Sequence, residues 1–245
     1  MIWLRSLLFT VFLFLSTPVF ALAVALLGPF GHKTCYPAAV RWAIVNLWML
    51  DKLCGLRFEV EGAEHIPLEP CVLYWKHESV FETMAGALIF PRQTWVIKRE
   101  LMWLPFFGWG MAFMRPIAIN RGAGRSAVKQ VMSLGQQRLA EGICVVIYPE
   151  GTRVPPGQAR RFGISGAALA KAAGRPLVPV AHNAGDFWPR RSFLKRPGTI
   201  RVVIGAPIDT AELSPEEITS RGREWIAATV DRISPGRAAA CPAPL

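Results

Sequence analysis

Two short stretches carry residue types able to do chemistry: Lys76-His77-Glu78-Ser79-Val80-Phe81-Glu82 and, about seventy residues on, Tyr148-Pro149-Glu150-Gly151-Thr152-Arg153. Histidine is the one side chain whose free pKa, near ~6.5, lets it take up and return a proton at neutral pH. A carboxylate on its second ring nitrogen would fix the tautomer and stabilise the imidazolium formed during reaction. Ser79 lies between them but reads as a helix cap, so no serine or cysteine takes the place of a nucleophile. A His77–Glu82 pair therefore suits a base that activates a hydroxyl on the substrate itself.

The spacing limits how the two can meet. Five residues on a regular helix lie about 140° apart around the axis, too far for contact. They meet if His77 sits in a loop and Glu82 in the first turn of the helix that follows. Ser79-Val80-Phe81-Glu82 reads as a capping box with Ser79 as N-cap and Glu82 at N3, which supplies that geometry. The same pattern supports a plainer reading: Glu82 only caps, and His77 is an ordinary residue at a strand end.

These residues sit in a chain of 245 residues, enough for one sizeable domain with a short appendage. Hydrophobic residues make up 52% and the mean hydropathy is +0.30. Much of that excess is N-terminal, where the 26 residues from Ser6 to Gly31 carry no formal charge. At ~1.5 Å per residue the run reaches across a hydrocarbon core of ~30 Å. Pro18 is expected to kink it or split it into two shorter helices. Val19-Phe20-Ala21 and Ala21-Leu22-Ala23 resemble signal-peptide cleavage sites. The apolar run continues through Leu27, however, and only Arg5 precedes it, which favours a retained two-segment anchor. Tyr36 to Leu50 reads as an interfacial or buried helix.

The net charge of +11, from 28 Lys+Arg against 17 Asp+Glu, fits nucleic acid, anionic headgroups or phosphorylated small molecules. No zinc-finger spacing, RNA-binding aromatic motif or basic helix supports nucleic acid, so an anionic membrane surface is the expected partner. The cluster Arg190, Arg191, Lys195 and Arg196 reads as solvated surface. The five cysteines are scattered and lack metal-ligand spacing, as expected of reduced thiols on a cytoplasm-facing body. Lys33, Arg41, Lys52 and Arg57 after the anchor agree with the positive-inside tendency.

Beyond the anchor, strand patterns (56–60, 71–75, 94–98, 116–119, 143–148, 177–181 and 199–204) alternate with helix patterns (79–90, 124–140, 163–173 and from Ser214). This alternation predicts an α/β domain with a largely parallel central sheet flanked by helices. The division expected is an anchor over 1–52, the α/β domain over 53–233, and a disordered tail over 234–245. Ligands of such sheets gather at the carboxyl ends of the strands, and His77 and Glu150 each follow an apolar strand.

Four motifs in order then resemble the glycerophospholipid acyltransferase family over roughly residues 75 to 207. The first is His77 with Glu82, where the family more often has aspartate. The second region is Pro105-Phe106-Phe107-Gly108 with Ile119-Asn120-Arg121, aspartate being commoner than Asn120. The third is Tyr148 to Arg153, with tyrosine for the usual phenylalanine. Leu177-Val178-Pro179-Val180 resembles the fourth. The resemblance implies transfer of a fatty acyl group from acyl-CoA or acyl-carrier protein to the 2-hydroxyl of lysophosphatidic acid. It implies His77 as the base and Glu82 as the group that orients it. A thioester is already activated, so no metal, cofactor or acyl-enzyme is required.

Arg153 and Arg121 are the candidates for the acceptor's phosphate, because guanidinium binds it in a bidentate fork. Gly151 would let backbone N–H groups approach an anion, Glu150 and Thr152 would shape that loop or hydrogen-bond the acceptor, and Lys98 is a further phosphate candidate. The aromatic run Pro105 to Trp109 reads as core, with acyl chains or membrane as the other reading. His182 follows a strand and could line the site. Rival functions are transfer to lyso-ornithine lipid, another lysophospholipid or glycerol 3-phosphate, a noncatalytic membrane-binding protein, and a hydrolase using His77 on water.

Overall fold

In the computed structural model, residues 1–234 are described, apart from the side chain of Arg121; most of the predicted tail lies outside them. The chain opens with a helical hairpin, α1 (Ile2–Leu27) and α2 (His32–Cys54). Helix continues through Pro18, contrary to the expected split there, and the Ser16 and Thr17 hydroxyls bond the Leu13 carbonyl in that turn. The break falls instead at Gly28-Pro29-Phe30, followed by Gly31 at φ +101°. Ile2 to Phe30 is long and apolar enough to cross a membrane by length and composition. Its outward side exposes Trp3, Leu4, Phe14, Leu15, Val19 and Leu26. Ser16 and Asn46 hydrogen-bond across the hairpin. α2 ends on Gly55 at φ +65°, whose N–H returns to Asp51 O at 2.8 Å.

Among the described residues the body holds seven strands: β1 (Leu56–Glu61), β2 (Val72–Trp75), β3 (Gln93–Lys98), β4 (Ile117–Ile119), β5 (Cys144–Ile147), β6 (Leu177–His182) and β7 (Gly198–Ile204). Their order is β1-β7-β6-β2-β5-β3-β4. All neighbours are parallel except β6 and β7, so β1 and β7 run opposite to a parallel block of five. The helices are α3 (Phe81–Ile89), α4 (Phe107–Phe113), α5 (Arg125–Ala140), α6 (Ser165–Ala172), α7 (Ala184–Phe187) and α8 (Pro215–Ile233).

Strand periodicity builds the two cores. Leu73 and Trp75 of β2 join one cluster with α1, α2 and α3, while Val72 and Tyr74 join another with α5, α6 and α8. A strand covered on both faces must be apolar throughout, which is how β2, β5 and β6 read. α8 carries the full capping box that its Ser214-Pro215-Glu216-Glu217 start predicts.

Two surface expectations are corrected. α4 lacks a readable helix pattern because its inner face is glycine. A Cβ on Gly108 would sit on the Met102 carbonyl, and one on Gly110 would come within 2.9 Å of Ala21 O on α1. Phe106, at φ +60° just before α4, and Trp109 are exposed, not core, while Phe107 and Phe113 are half-buried. Lys195 is buried rather than solvated. Its ammonium lies over the Phe9, Trp188 and Phe193 rings and donates to Phe193 O at 2.8 Å, fastening α1 to the body.

Candidate active site

The parallel block delivers one candidate residue or segment from each strand end. His77 follows β2, the Tyr148–Arg153 loop follows β5, Lys98 ends β3, Arg121 follows β4 and His182 ends β6. Of these, the structure brings together His77, Glu82, Glu150, His182 and the 148–153 loop.

His77 leaves the sheet in a tight turn that ends where α3 begins. The expected N-cap is corrected: α3 starts at Phe81, with Val80 at the cap position and no side-chain cap bond. Ser79 Oγ instead accepts the Phe81 N–H at 3.3 Å, so the chain turns once more before the helix. Glu82 lies in the first helical turn and reaches back over that bend. Its Oε1 accepts His77 Nδ1–H at 2.8 Å, Ser79 N–H at 2.9 Å and Glu78 N–H at 3.1 Å; Oε2 accepts Ser79 N–H at 3.0 Å. The capping and the orienting readings are thus one arrangement. A single carboxylate caps the bend and holds the imidazole.

An ionised carboxylate only accepts, so Nδ1 carries the proton and Nε2 keeps its lone pair. Glu82 is fully buried. Burial pushes its carboxyl up, but the His77 hydrogen bond and the charge of Arg153 work against that, and it is held below the ordinary value. Burial is also the largest influence on His77 and lowers its pKa, although Glu82 pulls the other way. At neutral pH the ring is an unprotonated base.

Three neighbours fix the ring and its backbone. Tyr148 stacks on the imidazole, with ring centroids 3.8 Å apart and planes 19° apart. Its hydroxyl is buried without a hydrogen-bond partner among the described residues. His182 is fully buried behind the pair; its Nδ1 accepts the Ala184 N–H, so its Nε2–H donates to Lys76 O at 2.8 Å. Sequence reasoning left Lys76 unassigned and gave His182 no firm place. The only available signal was their position beside a motif residue and at a strand end.

The loop after β5 contributes in two directions. Glu150 points inward, 4% exposed, with Oε1 paired to Lys76 and Oε2 accepting the His77 N–H at 2.9 Å. Gly151 turns at φ +70° and its N–H closes on Tyr148 O at 2.9 Å. Thr152 and Arg153 are partly exposed beyond it. The Arg153 Nε is buried with no hydrogen-bond partner among the described residues, and its carbonyl accepts from Arg190. Val154 N–H returns to His77 O at 2.8 Å, locking the loop to the histidine. Lys98 stands apart, exposed and 3.7 Å from Glu100. The Arg121 backbone follows an Asn120 turn, in which Asn120 Oδ1 accepts the Gly122 N–H; its side chain lies outside the described residues.

Chemically, this is a neutral imidazole held by a carboxylate, with a guanidinium near enough to influence both, at the carboxyl ends of parallel strands. Comparisons with known proteins agree with it. Residues 57–183 match the acyltransferase family profile. The chain is 43% identical over 197 residues to a 1-acyl-sn-glycerol-3-phosphate acyltransferase of Pseudomonas aeruginosa, covering 79% of this chain and 77% of that one. It is 31% identical over 167 residues to the human beta form, covering 67% of this chain and 60% of the human one. The crystal structure of the LPA acyltransferase PlsC from Thermotoga maritima superposes with a TM-score of 0.78 at 21% identity, over 96% of this chain and 98% of that one, and so shares the fold. Fold, motif order and relatives converge: the chain belongs to the glycerophospholipid acyltransferase family and resembles the bacterial 1-acyl-sn-glycerol-3-phosphate acyltransferases within it.

Proposed function

We propose that the chain moves a fatty acyl group from acyl-CoA or acyl-carrier protein to the sn-2 hydroxyl of 1-acyl-glycerol 3-phosphate, giving phosphatidic acid. The observation that carries this reading is the 2.8 Å His77 Nδ1–Glu82 hydrogen bond, which leaves Nε2 as an acceptor at the strand ends. Nε2 takes the hydroxyl proton as the acceptor oxygen attacks the thioester carbonyl. A tetrahedral oxyanion forms; its collapse expels the thiolate, and the imidazolium returns the proton to it. Glu82 stabilises the imidazolium throughout.

Arg153, with Arg121, takes the acceptor's phosphate in this reading, Thr152 offers a donor beside it, and Gly151 makes the turn that presents them. Lys98 attracts anionic substrate from further out. The relatives named above support a glycerophosphate acceptor. Residues 1–52 anchor the protein, 53–233 form the catalytic domain, and the enzyme sits on the cytoplasmic membrane with its active site facing the cytoplasm. The buried free thiols Cys35, Cys54, Cys71 and Cys144 support that placement.

The test is acyl transfer by the purified chain in detergent, from labelled acyl-CoA or acyl-carrier protein, to lysophosphatidic acid, glycerol 3-phosphate, lyso-ornithine lipid and lysophosphatidylcholine. Phosphatidic acid as the favoured product supports the assignment. A higher kcat/KM with any other acceptor replaces it.

A further inference from the structure

The backbone around His77 is tied on every side. Lys76 N–H donates to Val180 O of β6 at 3.0 Å, and Lys76 O accepts from His182 Nε2 at 2.8 Å. His77 N–H donates to Glu150 Oε2 at 2.9 Å, and His77 O accepts from Val154 N–H at 2.8 Å. Four polar groups thus go to four different places. Three of these partners are backbone or neutral; the fourth is a carboxylate, 4% exposed. Burying a carboxylate to that extent costs several kcal/mol unless a countercharge accompanies it.

Lys76 supplies it. Its side chain is 9% exposed, and its ammonium is paired with Glu150 Oε1 and lies 3.4 Å from Glu78 Oε1. Glu78 is itself fully buried and hemmed in by α7, since a Cβ on Gly185 would come within 2.5 Å of its Oε2. One ammonium therefore joins the end of β2, the bend that carries the base, and the loop after β5.

We infer that Lys76 is a positioning residue for the acyl-transfer reaction. By pairing with Glu150 and holding it in place, it sets the main chain of His77 and thereby the aim of its imidazole, and the Glu150 carboxylate serves this purpose instead of contacting the acceptor. The inference rests on the reading of His77 as the base. It does not require the acceptor to be lysophosphatidic acid.

Wild type would be compared with Lys76→Met, Lys76→Arg, Glu150→Gln and the Lys76→Met/Glu150→Gln pair, by kcat and acceptor KM and by 15N spectra of the imidazoles. With four histidines in the chain, His77→Ala identifies the His77 signals. An ångström of misplacement is worth roughly 100-fold in rate. Lys76→Met and Glu150→Gln should each lose kcat on about that scale, with acceptor KM within about twofold of wild type. The double variant should lose no more than the worse single, because the two act as one unit. Lys76→Arg, which keeps the charge, should recover most of kcat. The His77 spectrum should show one Nδ1–H tautomer in wild type and Lys76→Arg, and a mixture in the neutral variants.

Should Lys76→Met fail to fold, near-isosteric Glu150→Gln carries the same comparison. The inference is overturned if Lys76→Met keeps kcat within about threefold of wild type, below the rate cost of misplacing the base. It is equally overturned if the loss from Glu150→Gln appears as a raised acceptor KM, the mark of an acceptor ligand. A wild type inactive on every acceptor would sink the proposed reaction alone. The tautomer then decides the inference, and an unchanged His77 spectrum in both neutral variants overturns it.

Discussion

Replacing Glu82 by glutamine isolates what the carboxylate does, because length and shape are kept while charge and acceptor capacity are lost. The structure leaves glutamine two poor choices. If its carbonyl faces His77, its amide N–H groups meet the Ser79 N–H, now a contact near 3.0 Å between two donors. If its amide faces His77, Nδ1 must accept, the proton moves to Nε2, and the base is gone. Even in the first pose the imidazolium loses its countercharge. Unit charges about 4 Å apart at an effective dielectric near 20 interact by roughly 4 kcal/mol. At about 1.36 kcal/mol per decade, that corresponds to roughly 10³-fold in rate. The carboxylate-to-amide change in a Ser-His-Asp triad costs about 10⁴-fold, chiefly through the tautomer. We therefore expect Glu82→Gln to lower kcat by about 10³ to 10⁴. The assay is formation of labelled acylated product under saturating donor and acceptor, with circular dichroism showing that the variant is folded. A folded Glu82→Gln retaining more than about one tenth of wild-type kcat would refute the reasoning, since a lost charge and tautomer cannot cost so little.

Because burial lowers the His77 pKa, its base form persists below the ordinary histidine value. The acid limb of kcat/KM against pH, which reports the free enzyme, should have its midpoint under ~6.5; a midpoint above it contradicts this. The Tyr148 stack on His77 is an aromatic contact worth about 0.5–1.5 kcal/mol, so Tyr148→Leu should cut kcat up to roughly tenfold. Tyr148→Phe keeps the ring and drops a buried unpartnered hydroxyl, so its kcat and melting midpoint should match or exceed wild type. A Cβ on Gly166 would overlap the Tyr74 ring, an overpacking that costs about 1–3 kcal/mol. At roughly 2–4 °C per kcal/mol, Gly166→Ala should melt several degrees lower, and an unchanged midpoint would show that α6 can shift.

The architecture was legible because its determinants are local and repeated. Apolar runs such as Cys144–Ile147 have no face to spare for water, so they demand a two-sided sheet and parallel neighbours. The turn at Pro149-Glu150-Gly151 and the Ser214 cap are written in residue types. The reversed direction of β7 was not legible, since a strand pattern carries no sign. Nor was α4, whose FGWG sequence is fixed by how closely it must approach Met102 and α1. His77 and Glu82 were legible as a pair from their spacing. The exact bend that joins them depends on Ser79 and Phe81 backbone bonds that several sequences would satisfy. Lys76 and His182 stayed hidden for a different reason: each acts through a carboxylate or a carbonyl supplied by a distant segment. Lys195 looked like surface because its partners, Phe9 and Thr10, lie some 185 residues away.

The central claim is that His77 is the base for acyl transfer, and His77→Ala tests it most directly. Wild type and variant, both purified in detergent, would be given the same labelled acyl donor and lysophosphatidic acid, with folding checked by melting. The account predicts phosphatidic acid from wild type and a loss of at least about 10³-fold in the folded variant, comparable to general-base removal elsewhere. Transfer by His77→Ala at a rate near wild type would contradict it.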